Sequence, residues 1–430
     1  MDTACFVLFL QVVPIRRPDS PTGHLYSKSK SKNNNKASPP TPPAFGSNRP
    51  QSPKMEEATC ERIIKKLDSL ISQDPLLDEF DIVFSPGEVN RSPVVSVEHK
   101  LGLESWCMKH VYAHAHAHIL KARRVKRIQD PGPLLRWTQF CLLVAPEVAT
   151  FWNIRKQLLQ RGSLSADTDL HLTRLVLSRK PKCMEVFQHR KWLFHHILAP
   201  TPPPPPPPSC ATDHHNGSGP EEKPGCRFLV GELEVCSWTA DKHQNNYHAW
   251  NHRLWVLQQL TERPPGLAEV CRSEYEACHR WVRTHVSEHS GLHYLQYLLA
   301  TMVTMAAEGA LASLTEVVPS VSTPLELYSA ELEFNRDLIE QYPGHEALFC
   351  HRRVLLQRVQ DLLLHTAPPQ RTASPPPPAL KRSCVETVNS DWSAVLLAER
   401  DLVNRSLKSQ SYQRTLGERH SHWLGNVLGV

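Results

Sequence analysis

Apolar residues recur along this chain with a period near 3.6 rather than 2. From Met55 to about residue 72, Ile63, Ile64, Leu67, Leu70 and Ile71 share one helical stripe, and Leu170 to Arg179 and Leu325 to Gln341 repeat the rhythm. No segment sustains strict alternation of apolar and polar positions between turn dipeptides, so the pattern predicts an all-α protein. Helical runs of about 12 residues separated by short breaks predict paired antiparallel helices. A Pro/Gly-punctuated loop follows the first helix, helices are expected near 96–128, and a short helix runs from about Asp391 to Leu407.

The chain also repeats itself. Five segments carry an aromatic or large apolar anchor and, three residues later, usually arginine. They centre on Trp152 and Arg155, Phe187 and Arg190, Trp250 and Arg253, Leu292 and Leu295, and Phe349 and Arg352. Pro146, Pro181 and Pro343 each stand six residues before an anchor. Proline ends the first helix or opens the turn. The anchor then lies early in a second helix, with arginine one turn on along the same face. In the third copy Trp250, Arg253, Leu254 and Leu257 form one stripe and His252, Trp255 and Val256 another. A helix apolar on two stripes is sandwiched between neighbours, which predicts a solenoid of helical hairpins over residues 55–365. A Trp–Arg pair required once per repeat reads as architecture, the guanidinium fork satisfying buried carbonyls or carboxylates. Chemistry is to be sought in residues that differ between copies.

Composition separates this body from its attachments. Of 37 prolines, 25 fall in residues 1–54, 200–224 and 368–378. Residues 1–54 read as a disordered extension, 200–224 as an insertion within the solenoid, 366–390 as a Pro-rich linker and 391–430 as a short helix and tail. Lysine and arginine number 49 against 43 acidic residues, a net +6, and the whole excess lies in residues 1–54. The body is neutral by count and carries no basic stripe interleaved with aromatics, so nucleic acid is not an expected partner. No apolar run reaches the roughly 18 residues of a membrane span. The apolar stretch Ala4–Val13 follows Asp2 without a preceding Lys or Arg, which fits an extension better than a secretory signal; the functional chain is expected to begin at Met55.

Autonomous catalytic motifs are missing. The sequence has no H-E-x-x-H, G-x-S-x-G, P-loop or D-D-x-x-D segment. Twelve cysteines form no C-x-x-C pair; Cys271, Cys278 and His279 approach a ligand cluster but no second pair completes a zinc set. Reduced thiols in a cytoplasmic protein are the simplest account. His110, His114 and His118 share a helical face, and without carboxylate or thiol companions they read as a polar face.

The segment Asn245-Asn246-Tyr247-His248-Ala249-Trp250-Asn251-His252-Arg253-Leu254-Trp255 resembles the repeat of protein prenyltransferase alpha subunits, a pattern of the form P-x-N-Y-x-x-W-x-H-R-x-x-W. The resemblance covers about residues 55–365. Segments Asn90 to Pro93, Leu101 to Cys107 and Tyr342 to Glu346 resemble, more narrowly, the type III geranylgeranyltransferase branch. It implies a right-handed alpha–alpha superhelix wrapped as a crescent around a beta subunit, that of Rab geranylgeranyltransferase. The catalytic zinc and the isoprenoid tunnel would belong to the beta subunit, and no cofactor to this chain. The implied reaction moves geranylgeranyl from its diphosphate, at the subunit interface, to a protein cysteine near a C-terminus, notably on an already farnesylated SNARE. Two residues match family positions at that site: Lys182, just after Pro181, on the diphosphate, and His248 beside it. Departures are plain. Leu292 and Leu295 replace Trp and Arg in the fourth copy, Cys183-Met184 replace Asn-Tyr in the second, and Gln244 replaces proline in the third. The alternative reading is a helical-repeat scaffold that binds a protein partner without supporting a reaction.

Overall fold

The computed structural model describes residues 55–85, 90, 92–124, 130–198, 224–262, 266–365 and 378–429. The N-terminal extension, the insertion up to residue 223 and the Pro-rich stretch 366–377 therefore lie outside the described residues.

The chain begins with α1 (Glu57–Gln73), which buries Cys60, Ile63, Ile64, Leu67 and Ile71. Three short strands follow, β1 (Glu79–Val83), β2 (Val94–Val97) and β3 (Lys100–Glu104), in spatial order β1-β3-β2. β1 runs parallel to β3 and β2 antiparallel to it. The helix expected near 96–128 is thus strand up to Glu104, and α2 occupies only Ser105–Arg123. Four and five residues per strand are too few to display alternation in the sequence. Tertiary bonds complete the sheet: the Phe80 amide donates to Ser178 Oγ at 2.9 Å.

Among the described residues, six helical hairpins then succeed one another. They are α3 (Gly132–Val144) with α4 (Ala149–Gln160), α5 (Ala166–Arg179) with α6 (Met184–Ile197), and α7 (Pro224–Lys242) with α8 (Tyr247–Thr261). Next come α9 (Leu267–Thr284) with α10 (His289–Ala307), α11 (Pro324–Gln341) with α12 (Glu346–His365), and α13 (Pro378–Leu407) with α14 (Tyr412–Trp423). Each second helix also meets elements of the adjoining hairpin, α6 on α8 and α10 on α12 among them. The result is an alpha–alpha superhelix. The C-terminal segment is not a short helix and tail: it makes a full hairpin docked on α12.

Local chemistry sets the boundaries. Asn246 caps α8 by accepting from the Ala249 amide at 3.2 Å. Thr323 and Glu326 form a reciprocal capping box at α11, with Pro324 in the first turn. Pro146 lies in the turn before α4, where its carbonyl accepts from Trp152 Nε1 at 2.8 Å, so the anchor side chain fastens its own turn. Second helices are buried on two stripes. In α8, Trp250, Arg253, Leu257 and Leu260 lie inside together with Ala249, His252 and Val256.

Candidate functional site

The first helix of a hairpin contributes one buried carboxylate, and that carboxylate joins two second helices. Asp169 on α5 accepts from Arg155 Nε of α4 at 2.5 Å and from His189 Nε2 of α6 at 2.7 Å. Glu232 on α7 accepts from Arg190 Nε of α6 at 2.6 Å and from His252 Nε2 of α8 at 2.6 Å. Glu274 on α9 accepts from Arg253 and from the Tyr294 hydroxyl, the latter at 2.5 Å. Glu399 on α13 accepts from Arg352 Nε at 2.9 Å and His420 Nε2 at 3.0 Å. Each arginine spends another nitrogen on a leucine carbonyl of its own hairpin's first helix, Leu135, Leu170, Leu233 or Leu332. The fork geometry of guanidinium is what lets one side chain serve both partners.

The fourth copy breaks this rule in an informative way. Leu295 stands where arginine is due. Glu331 on α11 accepts instead from His279 of α9 at 2.8 Å and from His351 at 3.3 Å. His279, noted in the sequence beside two cysteines, is thus tied to a carboxylate. The ends are trimmed too. Ile154 takes the histidine place in the first copy, where the residue 20 positions earlier is Leu134 rather than an acid. In the last hairpin His420 is kept and Ser421 takes the arginine place.

Burial alone would push the carboxyls of Asp169, Glu232, Glu331 and Glu399 up. Arg190 and His252 overcome it and hold Glu232 down to about 2, and the two histidines hold Glu331 down to about 2. Burial pushes His189, His252 and His420 below the usual imidazole range. Their Nδ1 atoms have no partner, so each is a neutral ring whose Nε2–H faces the carboxylate. Anchors also pack on the next copy's ring: Trp152 on His189 at 4.6 Å, Phe187 on His252 at 5.3 Å, Trp250 on Tyr294 at 5.6 Å and Phe349 on His420 at 5.6 Å.

The residues that differ between copies lie at the turns. Lys182 sits half-buried between α5 and α6, and His248 half-buried in the first turn of α8 beside Tyr247, which is 62% exposed. The two turns are tied: Asn246 Nδ2 donates to the Pro181 carbonyl at 2.8 Å and to the Thr239 carbonyl at 2.9 Å. Asn245, in the left-handed region at φ 53°, lets the chain reverse just before α8. Burial pushes the neighbouring Cys183 thiol up to about 12, so it stays protonated at neutral pH. Next to Tyr247 a cavity of about 320 Å³ opens over Trp250, Leu254, His293 and Tyr294. A larger groove of about 910 Å³ lies among α5, α6 and α7, lined by Leu76, His171, Arg174, Phe194 and Phe228. The His114 and His118 rings on α2 lie 4.2 Å apart with their planes tilted by 42°, and His114 Nε2 faces Glu61 at 3.4 Å.

The carboxylates Asp169, Glu232, Glu274, Glu331 and Glu399 were not singled out in the sequence. A signal existed. Each of the first four lies 20 residues before a buried histidine or tyrosine, His189, His252, Tyr294 and His351.

Comparison with known proteins agrees with this geometry. The model of the protein prenyltransferase alpha subunit repeat matches residues 231–260 and 328–359, the α7–α8 and α11–α12 hairpins. The chain is 35% identical over 314 residues to human protein prenyltransferase alpha subunit repeat-containing protein 1, covering 68% of this chain and 76% of the relative. The Danio rerio protein of that name is 34% identical, with 69% and 72% covered. The pig geranylgeranyl transferase type-2 subunit alpha is 22% identical over 54% of this chain and 35% of its own length.

Proposed function

This chain belongs to the protein prenyltransferase alpha subunit repeat family, and from that premise we propose that it is the alpha subunit of a heterodimeric protein geranylgeranyltransferase of the type III kind. In this reading it does not hold the catalytic metal. The beta subunit, that of Rab geranylgeranyltransferase, supplies zinc and the isoprenoid tunnel. The pair transfers geranylgeranyl from its diphosphate to a cysteine thiol of a protein acceptor such as a farnesylated SNARE, in the cytoplasm.

The observation that carries the reading is the pairing of two turns. Lys182 and the Tyr247–His248 pair stand on adjoining turns fastened through Asn246 and the Pro181 carbonyl. As the bond from isoprenoid carbon to diphosphate oxygen breaks, negative charge builds on the leaving group. An ammonium held nearby stabilises that charge more in the transition state than in the ground state. His248 contributes a polar ring beside it, and Tyr247 an exposed aromatic face for the partner or the isoprenoid.

The test is co-expression with candidate beta subunits, followed by transfer of labelled geranylgeranyl to a SNARE acceptor. Stable co-purification and transfer that needs both chains are expected. If no beta subunit co-purifies, the helical-repeat scaffold is the better reading.

A further inference from the structure

The groove of about 910 Å³ among α5, α6 and α7 has room for several residues rather than one side chain. Its walls carry large apolar side chains turned to solvent: Leu76 is 67% exposed and Phe228 44% exposed. The turn that holds Leu76 is fixed, because His171 Nε2 of α5 donates to the Leu77 carbonyl at 2.8 Å. Gly231, inside α7, lines the same groove, and a Cβ there would meet nothing within 4 Å. Glycine weakens a helix interior relative to alanine, and no described side chain takes up the space it leaves. Its bare backbone lets another stretch of chain come close to α7. Arg190 and Glu232 also line the groove, but they are bonded to each other. The surface on offer is therefore apolar, with the exposed guanidinium of Arg174 as a donor.

The chain itself supplies a fitting occupant. Residues 199–223 lie outside the described residues, and both their flanks reach this groove. Phe194 stands one turn before the end of α6 at Ile197, and Phe228 one turn after the start of α7 at Pro224. Within that stretch, residues 202–208 are seven consecutive prolines. A run of this kind extends about 22 Å at about 3.1 Å per residue, presenting rings and carbonyls and no N–H that needs a partner. Aromatic-lined grooves take such segments because little conformational freedom is lost on docking. The tethers are long enough. Pro202 is four residues from Leu198, which packs on the cluster of Phe194, Leu229 and Leu233. Four residues span at most about 14 Å, and residues 209–223 reach up to about 50 Å for the return to α7.

We infer that this groove is the docking surface for the chain's own proline run 202–208, with Leu76, Phe194 and Phe228 against the rings and Arg174 donating to the carbonyls. Docking is then intramolecular, at an effective concentration on the order of millimolar, so a contact too weak to hold a free peptide suffices.

The experiment uses the full-length chain with the photo-reactive residue p-benzoylphenylalanine at position 76, where exposure leaves the fold undisturbed. After irradiation, fragmentation in the mass spectrometer assigns the linked residue, and a mixture of isotope-labelled and unlabelled chains separates links within a molecule from links between molecules. The expected product joins position 76 to residues 202–208 of the same molecule. Gly231→Leu fills the groove and is expected to lose that product while melting normally. Replacing the seven prolines by serine changes none of the described helices and is expected to lose it as well; a synthetic peptide of residues 201–209 added in excess should then take the vacated place and be linked instead. Links to a second copy, to another protein, to other parts of this chain only, or none at all overturn the inference. So does a product that persists in a folded Gly231→Leu variant. Should that variant fail to fold, the serine variant decides: absence of any link to the added peptide overturns the assignment.

Discussion

Arg253 and Glu274 face each other through two parallel contacts, Nε to Oε2 and a terminal nitrogen to Oε1, both at 2.7 Å. Neither reaches water: they are 4% and 3% exposed. The pair crosses from the third hairpin to the fourth, so it is a fastening between repeats. Arg253→Ala strands a buried anion, and unfolding in denaturant is expected to show a loss of about 3–5 kcal/mol. The Arg253→Ala, Glu274→Ala double variant should lose less than the two single variants together, because the second change removes the stranded charge.

Acid should loosen the array at defined carboxyls. Glu232 and Glu331 sit at about 2 in the folded chain against an ordinary 4.5. A depressed folded pKa gives stability that is present above the unfolded value and lost as pH falls through the folded one. Each shift corresponds to about 3 kcal/mol. Denaturant midpoints measured stepwise downward from the ordinary carboxylate range should fall steadily, and Glu331→Gln should flatten part of that fall.

Histidines act in a milder window. His189, His252 and His420 are held neutral by burial, below the ordinary 6.5. The unfolded chain then binds more protons than the folded one, so stability is full above that value and declines as pH drops below it. Thermal melts from about pH 7.5 to about pH 5 should show the decline, with a shallower slope in His420→Gln.

Gly291 offers a steric test. A Cβ there would lie 2.5 and 2.9 Å from ring atoms of Trp281 and 3.2 Å from Trp250. Those rings pack edge to face at 4.7 Å, so moving one disturbs the other. Gly291→Ala is expected to lower stability by about 1–3 kcal/mol, read by denaturant unfolding.

Lys182→Ala tests the diphosphate reading directly. The residue lies in a turn and makes no fastening between repeats, so the heterodimer should assemble normally. Turnover is expected to fall on the order of 10–100-fold, in line with losing one charge-stabilising group. Full turnover in an assembled heterodimer would take Lys182 out of the reaction.

The helical hairpins and the anchors were legible because their signals are local: proline, aromatic and arginine within ten residues. The partners of the arginines were not. Asp169 is 14 residues from Arg155, Glu232 is 42 from Arg190 and Glu399 is 47 from Arg352. Insertions vary that distance, and the spacing that does stay fixed, 20 residues, runs from the acid to the next histidine or tyrosine rather than to the arginine. The sheet escaped notice for a different reason. Strands of four or five residues are defined by pairing across space, as Val94 with Leu103 and Ile82 with Leu103, not by their own periodicity. For the turns, Lys182 and His248 stand out only through resemblance, because a lysine and a histidine beside a turn carry no spacing signal of their own.

The ends of the array have one further meaning. Leu134 and Ile154 open it without an acid to receive a guanidinium, and Ser421 closes it without a guanidinium to offer. Among the described hairpins, the chain of guanidinium, carboxylate and imidazole therefore runs from Arg155 to His420 and stops at apolar side chains on one side and a serine on the other.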